Sequence, residues 1–94
     1  MKPYRTAQLA LADLKAAIRE VISDSGVEGL TNAEIGRTLG IYAGHVGHEG
    51  HISRTLLAML ESEGVVQQDK KSKIWTLIQR SGSEVPSTSV ENQV

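Results

Sequence analysis

The apolar positions of this chain recur first with a helical period and then in short runs, which predicts helices followed by strands. In the first segment the apolar residues recur at helical spacing, so we expect a helix over residues 6–25 with one buried face. Thr6 is suited to cap this helix, and Gly26 is suited to follow its last turn. The predicted buried face consists of Leu11, Leu14, Ile18, Val21 and Ile22.

The other side of this first helix is open to two interpretations. It carries Leu9, and a small-residue surface is formed by Ala10, Ala16 and Ala17. An ordinary helix surface accounts for this pattern, because soluble domains often expose single apolar side chains. The alternative is a contact face between the two chains of a homodimer.

A second helix is predicted from a run that begins with a capping box. Thr31 is followed three residues later by Glu34, and in such a pair the two side chains satisfy free amides at a helix start. The apolar residues of this run lie one turn apart on a single face. Gly36 inside the helix predicts a close contact with another helix. Asn32 and Arg37 remain available for solvent or phosphate.

A third helix is predicted over residues 52–63, with Gly64 ending it. Successive residues advance by about 100° around a helix, so the apolar positions fall on the side of Ile52. That buried side contains Ile52, Leu56, Met59 and Leu60, whereas Arg54, Ala58 and Glu61 lie opposite, and Ser53 and Leu57 lie on a flank.

A hairpin is predicted after the third helix. Residues 65–69 and 73–78 have the composition of strands, and Lys70-Lys71-Ser72 forms the turn between them. Trp75 and Leu77 share one face of the second strand, and Ile74 and Ile78 share the other. The sequence leaves open which face is buried. The predicted class is therefore α+β, with one domain over residues 1–80.

Length and composition limit the alternatives. A chain of 94 residues supports one domain, and one Trp, two Tyr and no Phe predict an aliphatic core. The absence of Cys excludes disulfides and thiolate metal sites and agrees with a cytoplasmic protein. No apolar run is long enough to span a bilayer, and no signal segment follows the N-terminus. Residues 81–94 are polar without a period, which predicts a disordered tail.

Charge is unevenly distributed along the chain. The net charge is −1, so any binding to nucleic acid must come from a local patch. Such a patch is present between residues 64 and 80, where Asp69 is the only acid and the basic residues are Lys70, Lys71, Lys73 and Arg80.

Three runs of the sequence, TNAEIGRTLG, SRTLLAMLESEGVV and KIWTL, together resemble the winged helix-turn-helix superfamily of small prokaryotic DNA-binding proteins. The resemblance covers residues 8–79 and implies three helices followed by a hairpin wing. It implies that the third helix enters the major groove of double-stranded DNA and that the wing contacts the backbone or the minor groove. By position it assigns Ser53, Arg54 and Leu57 to the recognition helix and Lys70, Lys71 and Lys73 to the wing tip.

The chain departs from the usual pattern of that superfamily in the lengthened loop over residues 41–50, which precedes the third helix. A Gly-His-X triplet is repeated three times from Gly44 onwards. Three histidines with a water or Glu49 could form a tetrahedral metal site. Alternatively, His48 and His51 contact DNA while the glycines allow backbone amides to approach a phosphate, or the loop is simply solvated. Helical metal pairs are usually spaced by four residues, so we expect no metal and no other cofactor.

The sequence contains no recognisable catalytic arrangement. It lacks a nucleophile elbow, a P-loop and a G-x-G-x-x-G after a strand, and its acids are scattered rather than clustered, as a nuclease metal site would require. We therefore expect a protein that is not an enzyme.

The expected function is DNA binding by a transcriptional regulator or an accessory DNA-binding factor, with a homodimer through the first helix. Arg54 is the base-reading candidate, because a guanidinium can bind guanine through two hydrogen bonds. Arg37 and the hairpin lysines are expected on phosphates. The alternatives are a protein-interaction winged helix within a larger complex, favoured by the near-neutral charge and by Glu49, Glu61 and Glu63, and a metal-dependent sensor that rests on the three histidines.

Overall fold

The computed structural model describes residues 1–44 and 49–79. Within them the chain forms α1 (Lys2–Asp24), a 3-10 turn (Gly26–Glu28), β1 (Leu30–Thr31), α2 (Asn32–Leu39), α3 (His51–Ser62), β2 (Val66–Gln68) and β3 (Ile74–Leu77). The strands form one antiparallel sheet in the order β1-β3-β2. The predicted α+β class is confirmed. The predicted tail, residues 81–94, and the predicted domain boundary at residue 80 lie outside the described residues.

α1 begins earlier than the sequence predicted. Met1 is its capping position, and Pro3 lies in the first turn, where a missing amide sacrifices no helical hydrogen bond. Thr6 therefore lies inside the helix, and its predicted capping role is wrong. The predicted buried face is confirmed: Ile18 and Ile22 are 0% and 1% exposed, and the residues packed around them include Leu11, Leu14 and Val21.

α2 starts and ends through local hydrogen bonds that its sequence predicts. The Glu34 amide donates to the Thr31 hydroxyl at 3.3 Å, and the Glu34 carboxylate accepts from the Thr31 amide at 2.9 Å. At the other end Gly40 adopts a φ of 74°, and the Ile41 amide returns to the Gly36 carbonyl at 2.8 Å. The predicted start at the capping box is confirmed.

The sheet contributes one face to the core, and its orientation is now clear. Trp75 is 6% exposed and Val66 is 0% exposed. Val66 is paired with Leu77 across the two strands, so the face that carries Trp75 and Leu77 is the inner one. The two-residue strand β1 was not predicted. It joins the sheet by pairing Leu30 with Trp75 and Thr31 with Ile74.

The core lies between the helices and this inner face. α1 packs against α2, α3 and β3, and α3 also packs against α2 and β2. The first ten residues of the chain are exposed, so the N-terminal half of α1 extends beyond the core. Within the described residues, no helix is both long enough and apolar enough to cross a lipid bilayer. The buried apolar residues are Ile18, Ile22, Ile35, Leu56, Leu57, Leu60, Val66 and Trp75.

Candidate nucleic-acid interface

α3 presents a polar outward face that includes the predicted base-reading residue. Arg54 is exposed near the start of the helix, and Ala58 and Glu61 are exposed further along it, as their angular positions predicted. His51 and Thr55 lie one turn apart and are exposed beside this face. Thr55 was not predicted to reach DNA, and it lies about 100° around the helix from Arg54.

Two residues that were predicted to reach DNA lie in the interior. Ser53 and Leu57 are each 0% exposed, so their assignment to the recognition surface is wrong. α3 packs against α1, α2 and β2. Its buried surface is therefore wider than the side of Ile52 that the sequence predicted. Ile52 itself is only half-buried, and the centre of the buried arc is therefore rotated towards Ser53 and Leu60.

The starts of α2 and α3 are joined by a polar cluster of Asn32, Gly50 and Ser53, here called the helix junction. The Asn32 side chain donates through Nδ2 to the Gly50 carbonyl at 3.1 Å and accepts from the Ser53 hydroxyl at 2.7 Å. Both polar atoms of Asn32 are thus engaged within the protein, which differs from the predicted contact with solvent or phosphate. Gly50 has a φ of +82°, and a Cβ on it would lie 2.6 Å from Asn32 Nδ2.

The predicted close contact at Gly36 is confirmed beside the helix junction. Gly36 is buried, and a Cβ on it would lie 3.0 Å from both Ser53 Oγ and Tyr42 Cδ1. The Tyr42 ring is covered on its outer side by Arg37, whose guanidinium carbon lies 4.6 Å from the ring centroid. Arg37 remains exposed, so it can contact a ligand while Tyr42 orients it.

The two ends of the long loop are held together next to Arg54. The Gly50 amide and the His51 Nδ1–H both donate to the Ala43 carbonyl, at 2.8 Å and 3.1 Å. Because a carbonyl oxygen only accepts, the proton of a neutral His51 ring lies on Nδ1. The Arg54 guanidinium donates from Nη2 to the Glu49 carbonyl at 3.0 Å. His51 and Arg54 are thereby brought together at the start of α3.

The metal interpretation of the Gly-His repeat depends on residues that the structure does not describe. His45 and His48 lie in the gap at 45–48, so the predicted DNA contact of His48 is outside the described residues as well. In the two described ranges, no group of three or more His, Cys, Asp or Glu side chains is placed to hold a metal ion.

The turn between β2 and β3 is closed by Asp69. Its Oδ2 accepts from the Ser72 amide at 2.7 Å and from the Lys71 amide at 3.1 Å. These hydrogen bonds, led by those from Ser72, lower the pKa of the Asp69 carboxyl below its ordinary value. Lys73 completes the turn with a φ of 66° and donates its amide to the Asp69 carbonyl at 2.8 Å.

This turn presents the three predicted wing lysines to solvent. Lys70, Lys71 and Lys73 are all exposed, and within residues 1–44 and 49–79 none of their ammonium groups forms an ion pair. Asp69 is the one acid on this turn against three lysines, so the turn as a whole keeps a net positive charge. Its exposed ammonium groups can neutralise phosphates.

No protein-family model, curated protein or solved structure matches this chain. A functional assignment therefore depends on the residues and contacts described above.

Proposed function

We propose that this chain is a winged-helix DNA-binding protein that acts as a transcriptional regulator or an accessory DNA-binding factor. The outward face of α3 enters the major groove, and the β2–β3 turn contacts the sugar-phosphate backbone. The observation that carries the proposal is the exposure of Lys70, Lys71 and Lys73 on one turn of a chain whose net charge is only −1. Such a local basic patch is the electrostatic footprint of a nucleic-acid-binding surface.

The proposed interface divides into residues that read bases and residues that bind phosphates. Arg54 reads bases because it is exposed near the start of α3, and His51 and Thr55 lie beside it. Arg37 and the three lysines bind phosphates. Asn32, Ser53 and Leu57 support this surface from within, since the first two fix the start of α3 and the third lies in the core.

The test combines selection from a random duplex library with the double variant Lys70→Ala/Lys71→Ala. We expect an enriched sequence, and we expect the variant to lose affinity about equally for all duplexes. The slope of log affinity against log salt is negative, and each lost phosphate contact reduces its magnitude by about one unit. The slope of the double variant should therefore be shallower by about two units. Arg19→Ala removes a charge from an exposed position in the C-terminal half of α1 and should leave the slope unchanged. No enrichment, together with wild-type binding by the wing variant at every salt concentration, would refute the proposal.

A protein-interaction module is the second candidate, because one observation favours it. Glu61 is exposed on the same outward face as Arg54, about two turns further along α3. A face that carries both charges suits a protein partner better than a polyanion. In that case the library selection yields no enriched duplex, and Arg54→Ala and Glu61→Ala both weaken capture of one protein partner from nuclease-treated extract.

A further inference from the structure

The outer face of α1 is exposed along its whole length and is divided by charge. Before Asp13 the helix contains Lys2 and Arg5 and no acid. From Asp13 onwards the acids of the helix are Asp13, Glu20 and Asp24, and the bases are Lys15 and Arg19. Lys15 is moreover paired with Glu63 at 2.5 Å. The N-terminal half of α1 is therefore positive, and the C-terminal half is negative.

The same face carries an exposed apolar side chain with small residues next to it. Leu9 is 56% exposed and precedes the buried Ile18 by about two and a half turns, so it points away from the core. Ala12 and Ala16 follow it at helical spacing and are also exposed. Among the described residues the exposed large apolar side chains are Met1, Tyr4, Leu9 and Val27, and all but Val27 belong to the N-terminal half of α1 or cap it.

We infer that α1 pairs with α1 of a second copy of this chain in an antiparallel arrangement, with a two-fold axis next to Ala12 and Asp13. In this register Arg5 lies opposite the partner's Glu20, and Leu9 lies opposite the partner's Ala16. Each contact occurs twice because the interface is symmetric. The large side chain meets a small one, and the positive half of each helix meets the negative half of the other.

The charge distribution selects this orientation and this occupant. A parallel pair would place Arg5 against the partner's Arg5 and Glu20 against the partner's Glu20, which is repulsive at both ends. An antiparallel pair also aligns the helix dipoles favourably. A contact along one helix of 23 residues, about 35 Å long, is small for a specific interface, so we expect a dimer that dissociates on dilution.

The first test uses the absence of Cys from the natural sequence. Protein with Leu9→Cys is mixed with protein carrying Ala16→Cys under mild oxidation, and the disulfide-linked products are separated by mass. From an equal mixture we expect the mixed product to exceed either symmetric product by far more than the twofold that random pairing gives, because only positions 9 and 16 face each other. A dominant symmetric Leu9→Cys product would overturn the antiparallel orientation. A yield no higher than that of the exposed α2 variant Thr38→Cys would overturn the pairing of α1.

The second test exchanges the charges that the inferred register places together. Arg5→Glu alone and Glu20→Arg alone should each weaken dimerisation in sedimentation experiments by about tenfold, because each brings like charges into contact twice. The double variant Arg5→Glu/Glu20→Arg should restore dimerisation, while circular dichroism confirms that all variants remain folded. A monomer mass for the wild type across the dilution series, or no recovery in the double variant, would overturn the inference. Neither test contains DNA, so its outcome is independent of the proposed DNA binding.

Discussion

Arg54 combines an exposed position on α3 with a hydrogen bond that orients its guanidinium. That hydrogen bond goes to the Glu49 carbonyl at the end of the long loop and is itself exposed. Its loss should therefore change the thermal midpoint very little. If Arg54 reads a base, Arg54→Ala should cost about 1–3 kcal/mol on the selected duplex and much less on random DNA, as measured by fluorescence anisotropy.

The double variant Lys70→Ala/Lys71→Ala is the matched comparison for Arg54→Ala, because loss of phosphate contacts should weaken binding to both duplexes. Equal losses on selected and random DNA would make Arg54 a phosphate contact. No loss on either duplex would favour the protein-interaction module.

Asp69 makes the stability of the β2–β3 turn dependent on pH in a defined direction. Amides of Ser72 and Lys71 bind the ionised carboxylate, which lowers the pKa of Asp69 below its ordinary value of 3.8. A group whose pKa is lowered by folding stabilises the folded state above the unfolded pKa, and this contribution is lost as the pH falls through the folded pKa. We expect the stability difference between wild type and Asp69→Asn to shrink below pH 3.8, in acid and urea titrations.

The direct measurement is the titration of the Asp69 carboxyl by nuclear magnetic resonance, followed together with the Ser72 amide. Both signals should change at one midpoint below the ordinary value, and Asp69→Asn should abolish the change in the amide. A midpoint at or above the ordinary value would show that the turn does not favour the carboxylate.

Among the secondary-structure elements, β1 depends most on a single residue. Gly29 has a φ of +72°, and a Cβ on it would lie 2.4 Å from the Trp75 carbonyl oxygen in β3. The backbone of β3 cannot move aside for the new methyl group as a flexible side chain could, so Gly29→Ala should separate β1 from β3. We expect it to destabilise the fold by about 2–5 kcal/mol in urea unfolding.

Gly26 offers a matched control for that substitution. It has a similar φ of +67°, but a Cβ on it would meet nothing within 4 Å. Gly26→Ala should therefore cost only the backbone strain, about 1–2 kcal/mol. Equal losses in the free energy of unfolding for the two substitutions would mean that β3 leaves room for a side chain at Gly29.

The elements that the sequence predicted well are those set by local chemistry. Thr31 and Glu34 define the start of α2 because a capping box needs only residues that are neighbours in sequence. The start of α1 was misjudged because Thr6 is a good capping residue, yet Pro3 is equally suited to a first turn and lies further upstream. β1 has only two residues, too few to show a period.

The candidate interface could be predicted only where exposure followed from charge. Arg54 and the hairpin lysines were identified because charged side chains are rarely buried without a partner. Ser53 and Leu57 were misplaced because β2 and α2 both cover α3, and this tertiary contact leaves no trace in the spacing of the helix itself. The hydrogen bond between Asn32 and Ser53 joins residues 21 positions apart, which no local pattern reveals.

At the scale of the whole molecule, a net charge of −1 means that DNA is attracted only by the surface that carries the patch. In the proposed interface one chain contributes four phosphate-binding cations, namely Arg37, Lys70, Lys71 and Lys73. The slope of log affinity against log salt is about −0.9 for each phosphate neutralised, so one chain should give about −3 to −4. A two-fold dimer with both interfaces on one duplex should give about twice that value.

This doubling provides a prediction that joins the two proposals. Arg5→Glu disrupts the inferred dimer on α1 without changing any of the four phosphate-binding cations, so the magnitude of its salt slope should fall to about half of the wild-type value. Glu20→Arg alone should halve it too although it makes the net charge more positive, which excludes a simple effect of net charge, and Arg5→Glu/Glu20→Arg should return the slope to that of the wild type. Binding is measured by anisotropy on the selected duplex from low to moderate salt, with the mass of the complex determined by sedimentation. Equal slopes for wild type and Arg5→Glu, with two chains on DNA only in the wild type, would mean that the second chain binds its partner without contacting phosphate.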